Sequence, residues 1–287
     1  METFAQSLVS GVLTGALYAM IGIGLTVVFG VMKIINLAHG EMVMLGMFGA
    51  FWGQALWKLD PFVSLVVWVP VMFVAGMLVY RFLLRKIIPG GELNTLLYTA
   101  GLSLLIANLA LFVWKGDYRT ISLSYGMSPM RPFGIAIAVP LAIAFGLAIA
   151  ITVALWLFLA RTDLGRAIRA TSQNPEAATL MGIDVERIAV VTFGLGTALA
   201  GAAGVLLAPS LYLYPTVGEL LLVKCFVIVV LGGLGSVPGA IAGGILLGVV
   251  ESMGAVYVSS TYKDGIGFVL FLAVLLYRPS GLFGVGK

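Results

Sequence analysis

The sequence predicts an all-α polytopic membrane protein of eight or nine transmembrane helices, some short or broken, with a helical segment outside the bilayer. Three observations carry that prediction. Of the 287 residues 61% are hydrophobic and 10% charged, and the mean hydropathy is +1.12, whereas about a quarter of the residues in a soluble globule are charged. The hydrophobic residues fall in runs near the length that crosses roughly 30 Å of hydrocarbon as helix. Eight of the 28 charged residues are gathered in one polar island, Ala160 to Arg187.

In chain order the apolar runs lie near residues 8–32, 42–57, 62–84, 93–114, 133–159, 188–209, 220–235, 237–258 and 265–278. The second and seventh would reach only about 24 Å as helix and the ninth about 21 Å, so these three are read as broken or interfacial. METFAQSLVS lacks the basic leader of a signal peptide and the run behind it is too long for a signal core, so it is expected to stay as the first span. With the N-terminus outside and nine crossings, the inner side holds Lys33, Arg81, Arg85, Lys86, Arg161, Arg166, Arg169, Arg187, Arg278 and Lys287. The outer side holds only Lys58, Lys115, Arg119, Arg131 and Lys263. Basic residues concentrate in cytoplasmic loops, so the island and the C-terminus are expected in the cytoplasm. The whole chain, 1–287, reads as one membrane domain with a cytoplasmic loop at about 161–187.

Small residues recur every fourth position: Gly11, Gly15 and Ala19; Gly196, Ala200 and Gly204; Ala240, Gly244 and Gly248. Such faces let helix backbones approach closely in lipid, and bundle packing is their plain reading. Two glycine-rich breaks, Asn36 to Gly40 and Gly232 to Gly239, fall in opposite halves. Breaks at corresponding places of two repeats point to a transport path.

Few residues offer chemistry. Asn36, His39 and Glu41 interrupt the first apolar stretch, as helix stop and start signals or as part of a pathway or gate. His39 is the only histidine and Cys225 the only cysteine, which excludes a multi-histidine metal site, a zinc-cysteine cluster and an internal disulfide. Ser236 in its glycine-rich break joins Asn36, His39 and Glu41 as a candidate pathway or gating residue; to act as a nucleophile it would need His39 as base, a weaker reading than a tight turn. Lys224 and Glu251 lie inside apolar runs at equal depth, about 9 to 10 Å from the outer side, as a candidate intramembrane pair; a snorkelling Lys224 is the alternative. The outer segment Lys115 to Pro132 is a connector or a docking loop. No basic patch suggests nucleic acid.

In the island, Pro175 suits a first helical turn and Asn174 or Ser172 a cap, which predicts a short helix from Pro175 to Met181 presenting Ala177, Ala178, Leu180 and Met181. Any cytoplasmic loop can hold such a helix flat on the bilayer. Glu176-Ala177-Ala178 followed by Gly182 resembles the EAA loop of ABC importer permeases. Gly24-Leu25-Thr26 through Phe29-Gly30, Asn36-Leu37-Ala38-His39-Gly40-Glu41, Gly232-Gly233-Leu234-Gly235-Ser236-Val237-Pro238-Gly239 and Arg278-Pro279-Ser280-Gly281-Leu282-Phe283-Gly284 resemble, in order, blocks of the branched-chain amino acid (Liv-type) permeases. The Ile-x-Leu-Pro end of the broader EAA consensus is missing after Gly182.

The resemblance implies a permease subunit, not an enzyme, in a bacterial inner membrane. It would work beside a second, related permease, with two cytoplasmic ATPases and an external substrate-binding protein. Glu176, Ala177, Ala178 and Gly182 would contact the ATPases. ATP and Mg would bind those partners, since the chain has no P-loop and no cofactor of its own is expected. Branched-chain amino acids are the expected cargo; urea, short amides or other amino acids are the alternatives within the same machine. An ion-coupled secondary transporter would have to rely on Glu251, Glu41 or Glu219.

Overall fold

The computed structural model describes residues 2–126, 129–278 and 281–283. Among them eleven helices form: α1 (Glu2–Met32), α2 (His39–Trp57), α3 (Leu65–Val79, continued by a π turn at Tyr80–Leu84 and by Arg85–Ile87), α4 (Glu92–Trp114), α5 (Val139–Arg161), α6 (Asp163–Gln173), α7 (Pro175–Leu180), α8 (Val185–Leu207), α9 (Val217–Gly232), α10 (Val237–Tyr257) and α11 (Lys263–Tyr277). α1, α4, α5, α8, α10 and the continuous stretch Leu65–Gly90 are long and apolar enough to cross a bilayer. The only β pairing among the described residues is two isolated bridges, Arg119 with Leu213 and Met130 with Ile137.

The nine apolar runs each become one helix, with shifted ends. α5 begins at Val139 rather than near 133, because a 3₁₀ turn at Pro132–Gly134 and the Met130–Ile137 bridge hold the preceding chain. α1 ends at Met32, and Lys33 follows in a left-handed conformation (φ 54°). The stop is therefore not at Asn36 or Gly40. Asn36 lies in the non-helical return that precedes α2, and Gly40 in the first turn of α2.

The bundle has a buried centre and an exposed ring. The most hydrophobic windows of α1 and α8 are 78% and 83% buried, against 22% for the α3 stretch and α4 and 17% for α5. The centre is apolar on all sides, as expected of helices with no water-facing stripe. Glycines bring these central helices together: a Cβ at Gly11 would stand 2.6 Å from Val249 Cα, and one at Gly15 2.7 Å from Ile245 Cα, so α1 and α10 meet backbone to backbone. In lipid, where hydrophobicity does not drive helices together, this close packing is a main source of association.

Rising numbers on α1 meet falling numbers on α10, so the two are antiparallel. The end of the bundle holding α6 and α7 is here the loop face, and the other the far face. Val31 of α1, Ile168 of α6 and Ile188 of α8 pack together at the loop face, while Gln6 Nε2 donates to the Ala136 carbonyl at the far face (2.6 Å).

Candidate functional site

After Lys33 the chain turns back into the bundle without forming helix. The Thr99 hydroxyl of α4 accepts from the Leu37 amide (3.3 Å), and Asn36 Oδ1 accepts from the Ala38 amide (3.1 Å), so the returning backbone is partly satisfied by the bundle itself. α2 begins at His39, whose Nε2 donates to the Ile21 carbonyl (3.0 Å). A carbonyl only accepts, so that ring nitrogen carries the hydrogen. Ile21 is eleven residues before the end of α1 at Met32, about 16 Å along the helix. α2 thus starts deep inside the layer and runs to the far face. Gly24 makes room for it: a Cβ there would meet the imidazole at 3.0 Å and the Gly196 carbonyl at 2.9 Å.

α9 is built the same way in the opposite sense. α8 reaches the far face at Leu207, an irregular segment returns through Leu213, which pairs with Arg119, and α9 starts at Val217 within the layer and runs to the loop face. The starts of the two short helices touch. A Cβ at Gly40 would overlap the Gly218 carbonyl, so this backbone contact requires glycine, and one at Gly218 would meet the Glu41 carboxylate. His39-Gly40-Glu41 and Val217-Gly218-Glu219 occupy equivalent first turns.

The break in the second half that matches Asn36 to Gly40 is therefore the approach to Gly218. Gly232 to Gly239 is instead a turn at the loop face: Gly233 (φ 96°) and Gly235 (φ 86°) are left-handed, and the Ser236 hydroxyl caps α10 by accepting from the Gly239 amide (3.1 Å). Asn36, His39 and Glu41 come together at the centre. Ser236 does not join them; it lies beside the loop-face end of α1, where Gly235 approaches Gly30.

Glu41 is 1% exposed. Its Oε1 accepts from the Ser103 hydroxyl of α4 (3.3 Å), and its Oε2 has no hydrogen-bond partner. Farther along α9, the Lys224 ammonium pairs with Glu251 of α10 and with Asp264 of α11 (2.7 Å), and lies 4.9 Å from the Tyr18 ring centre. Of the two sequence readings of Lys224, pairing and snorkelling, the structure has the pair with Glu251. Asp264 and Tyr18 escape a reading of the sequence, since Asp264 looks like the polar start of an apolar run and Tyr18 like one more core aromatic.

The polar island folds as two short helices at the loop face. Thr162 caps α6, its hydroxyl accepting from the Gly165 amide (3.0 Å), and Asn174 caps α7, its side-chain oxygen accepting from the Ala177 amide (3.0 Å). α7 ends in a left-handed turn at Gly182 (φ 82°), where the Ile183 amide donates to the Ala178 carbonyl (3.0 Å), a glycine stop of the Schellman kind. The apolar surface expected on α7 is divided. Ala178 is buried against the bundle, Ala177 and Glu176 are exposed, and Leu180 and Met181 are 88% and 82% exposed. At the same face Arg85 pairs with Glu186 (2.8 Å), tying the end of the α3 stretch to the start of α8.

The segment from Lys115 folds over the far face. Arg119 stacks 5.2 Å from the ring centres of both Phe51 and Trp52, Gln54 Nε2 donates to the Ser122 carbonyl (3.0 Å), and the Tyr125 hydroxyl donates to Asp60 (2.6 Å). Burial and the Asp60 charge hold the Tyr125 phenol above its ordinary pKa. Of the terminal block, Leu282 and Phe283 donate backbone bonds to Leu231 and Gly232 at the end of α9 (2.8 and 3.1 Å). Pro279, Ser280, Gly284 and Lys287 lie outside the described residues.

The model of the family described as the permease component of branched-chain amino acid transport systems matches residues 7–275. The chain is 34% identical over 296 residues to the high-affinity branched-chain amino acid transport system permease protein BraD of Pseudomonas aeruginosa, covering 98% of this chain and 96% of the relative. It is 33% identical over 297 residues to the corresponding protein LivH of Escherichia coli K12, with the same coverages. A probable branched-chain amino acid permease LivH of Methanocaldococcus jannaschii is 29% identical, over 94% of this chain and 89% of that one. With this match along nearly its whole length and a bundle of membrane-length helices, the chain belongs to the family of branched-chain amino acid transport permease components, and is a multi-pass membrane transport subunit rather than an enzyme.

Proposed function

We propose that this permease is driven by ATP, that its cargo is a branched-chain amino acid, and that the loop face is cytoplasmic, with the N-terminus outside and the membrane that of the bacterial cytoplasm. One observation carries the coupling role. α7 is a short helix with a defined cap at each end, holding Glu176, Leu180 and Met181 out from the bundle while Ala178 anchors it. A pair of ATPase subunits gripping α7 would move α6 and α8 with it, because Asn174 both ends α6 and caps α7, and Asp184, two residues past Gly182, caps α8. Force reaches the path only through a contact that differs between states, and an exposed, rigidly capped helix supplies one.

ATP and Mg belong to the partners in this reading. A second, related permease completes the path, and an external binding protein selects the cargo. Leucine, isoleucine or valine fits the relatives' names and the apolar interior. The test is reconstitution of the chain with its co-purifying subunits in proteoliposomes. ATP-dependent uptake of labelled leucine, lost in Glu176→Lys while the chain still inserts, supports the reading. Uptake without any ATPase, or uptake of urea or short amides but not leucine, overturns it.

A further inference from the structure

We propose that Glu41 and Glu219, brought together where α2 and α9 begin, form a transient site for the ammonium group of the cargo midway along the path. This rests on the reading of the chain as an amino-acid permease, and adds a binding site to it.

Glu41 is the third residue of α2, where a carboxylate ordinarily folds back to bond the first amides of its own helix. Here it does not. It turns to Ser103 and leaves Oε2 without a partner, at 1% exposure. A buried oxygen of this kind is costly unless something completes it. Gly218 packs on the carboxylate with no side chain between them, and the next residue, Glu219, is exposed. Exposed charge at this depth is compatible with a wet path or a partner subunit and not with lipid.

The neighbourhood supplies acceptors and lacks a cation. Among the described residues the nearby Lys224 is committed to Glu251 and Asp264, and the His39 nitrogen to the Ile21 carbonyl. The first-turn amides of two helices make a negative charge tolerable here without neutralising it. An ammonium group, with three donors, suits a carboxylate oxygen that is free, a second carboxylate and the surrounding carbonyls. An inorganic cation shares part of that chemistry, and its involvement is separable by experiment.

The test uses the reconstituted transporter with Glu219→Cys in a Cys225→Ser background. Thiol labelling by an ethylammonium methanethiosulfonate is expected to exceed labelling by the ethylsulfonate reagent about tenfold beyond their ratio on a free thiol. Adding Glu41→Gln, which keeps an acceptor for Ser103, should abolish that excess. Glu41→Gln alone should lower leucine uptake about tenfold in a complex that remains assembled, and replacing sodium by potassium should leave wild-type uptake unchanged. No labelling of the Glu219→Cys thiol by either reagent, an excess that survives Glu41→Gln, full uptake by Glu41→Gln or sodium-dependent uptake would each overturn the site. Failure of wild-type leucine uptake would instead refute the underlying permease reading.

Discussion

Lys224 donates to Asp264 at 2.7 Å while also pairing with Glu251, so one buried cation links three helices, α9, α10 and α11. The two carboxylates differ in setting: the Glu251 side chain is 7% exposed and that of Asp264 37%. Breaking a buried pair by removing one partner costs about 3 to 5 kcal/mol, whereas an accessible pair is worth about 0 to 1 kcal/mol. Glu251→Gln should therefore destabilise the purified chain far more than Asp264→Asn, read as the thermal midpoint in lipid nanodiscs. Lys224→Glu with Glu251→Lys should recover part of the loss only, because Asp264 then faces a second carboxylate where the ammonium group stood. Equal losses for the two acid variants would show that burial does not set the energetics here.

Gly182 separates a backbone role from a contact role. Its φ of 82° penalises any side chain, and nothing within the described structure lies within 4 Å of the position a Cβ would take. Alanine and leucine thus carry similar backbone strain, on the order of 1 kcal/mol, and asparagine, which tolerates this conformation, carries less. If α7 enters a groove on an ATPase, ATP-dependent uptake should fall in the order asparagine, alanine, leucine. Leucine should fall well below alanine although the permease alone melts at the same temperature. Equal uptake for alanine and leucine would leave the glycine as a helix stop only.

The glycine seam between α1 and α10 makes a prediction about assembly. Gly244 packs on Ala19, where a Cβ would stand 2.5 Å from the Ala19 backbone, and Gly15 packs on Ile245 at 2.7 Å. Gly244→Val forces apart two backbones that no rotamer change relieves, and such overpacking costs about 1 to 3 kcal/mol or more. The variant should aggregate on extraction or elute as a broadened peak. Gly101→Val on α4, where nothing lies within 4 Å, is the matched control and should behave as wild type.

Much of the bundle was legible because hydrocarbon thickness fixes helix length, and the nine apolar runs map to nine helices. What hydropathy could not reveal was where α2 and α9 start. A run of sixteen apolar residues looks the same whether it crosses from one surface or begins at depth. The available signal was the repeated Gly-Glu at 40–41 and 218–219, each following a polar or proline-containing stretch. Gly232 to Gly239, richer in glycine, drew attention instead because a loop-face turn with two left-handed residues also requires it. In the island, Asn174, Pro175 and Gly182 announced the ends of α7, since caps depend on local backbone chemistry. Which of its apolar residues turned inward depended on the α6 and α8 neighbours, and only the fold supplied them.

His39 and Gly24 form a matched pair, and a double-mutant cycle tests whether they set where α2 begins. His39→Ala removes the bond to the Ile21 carbonyl and empties the space beside Gly24, a loss of about 2 to 3 kcal/mol from the combined hydrogen bond and cavity. Gly24→Ala places a methyl 3.0 Å from the imidazole and 2.9 Å from the Gly196 carbonyl, so it strains two contacts at once. In the double variant the methyl occupies space the ring has left, and the collision with the ring disappears. The collision with Gly196 remains. The double variant should therefore be less destabilised than the sum of the singles by about 1 kcal/mol, and still less stable than wild type. Additive losses in the thermal midpoint would mean that His39 is held by the Ile21 carbonyl alone, and that the glycine at 24 serves only the crossing of α1 with α8.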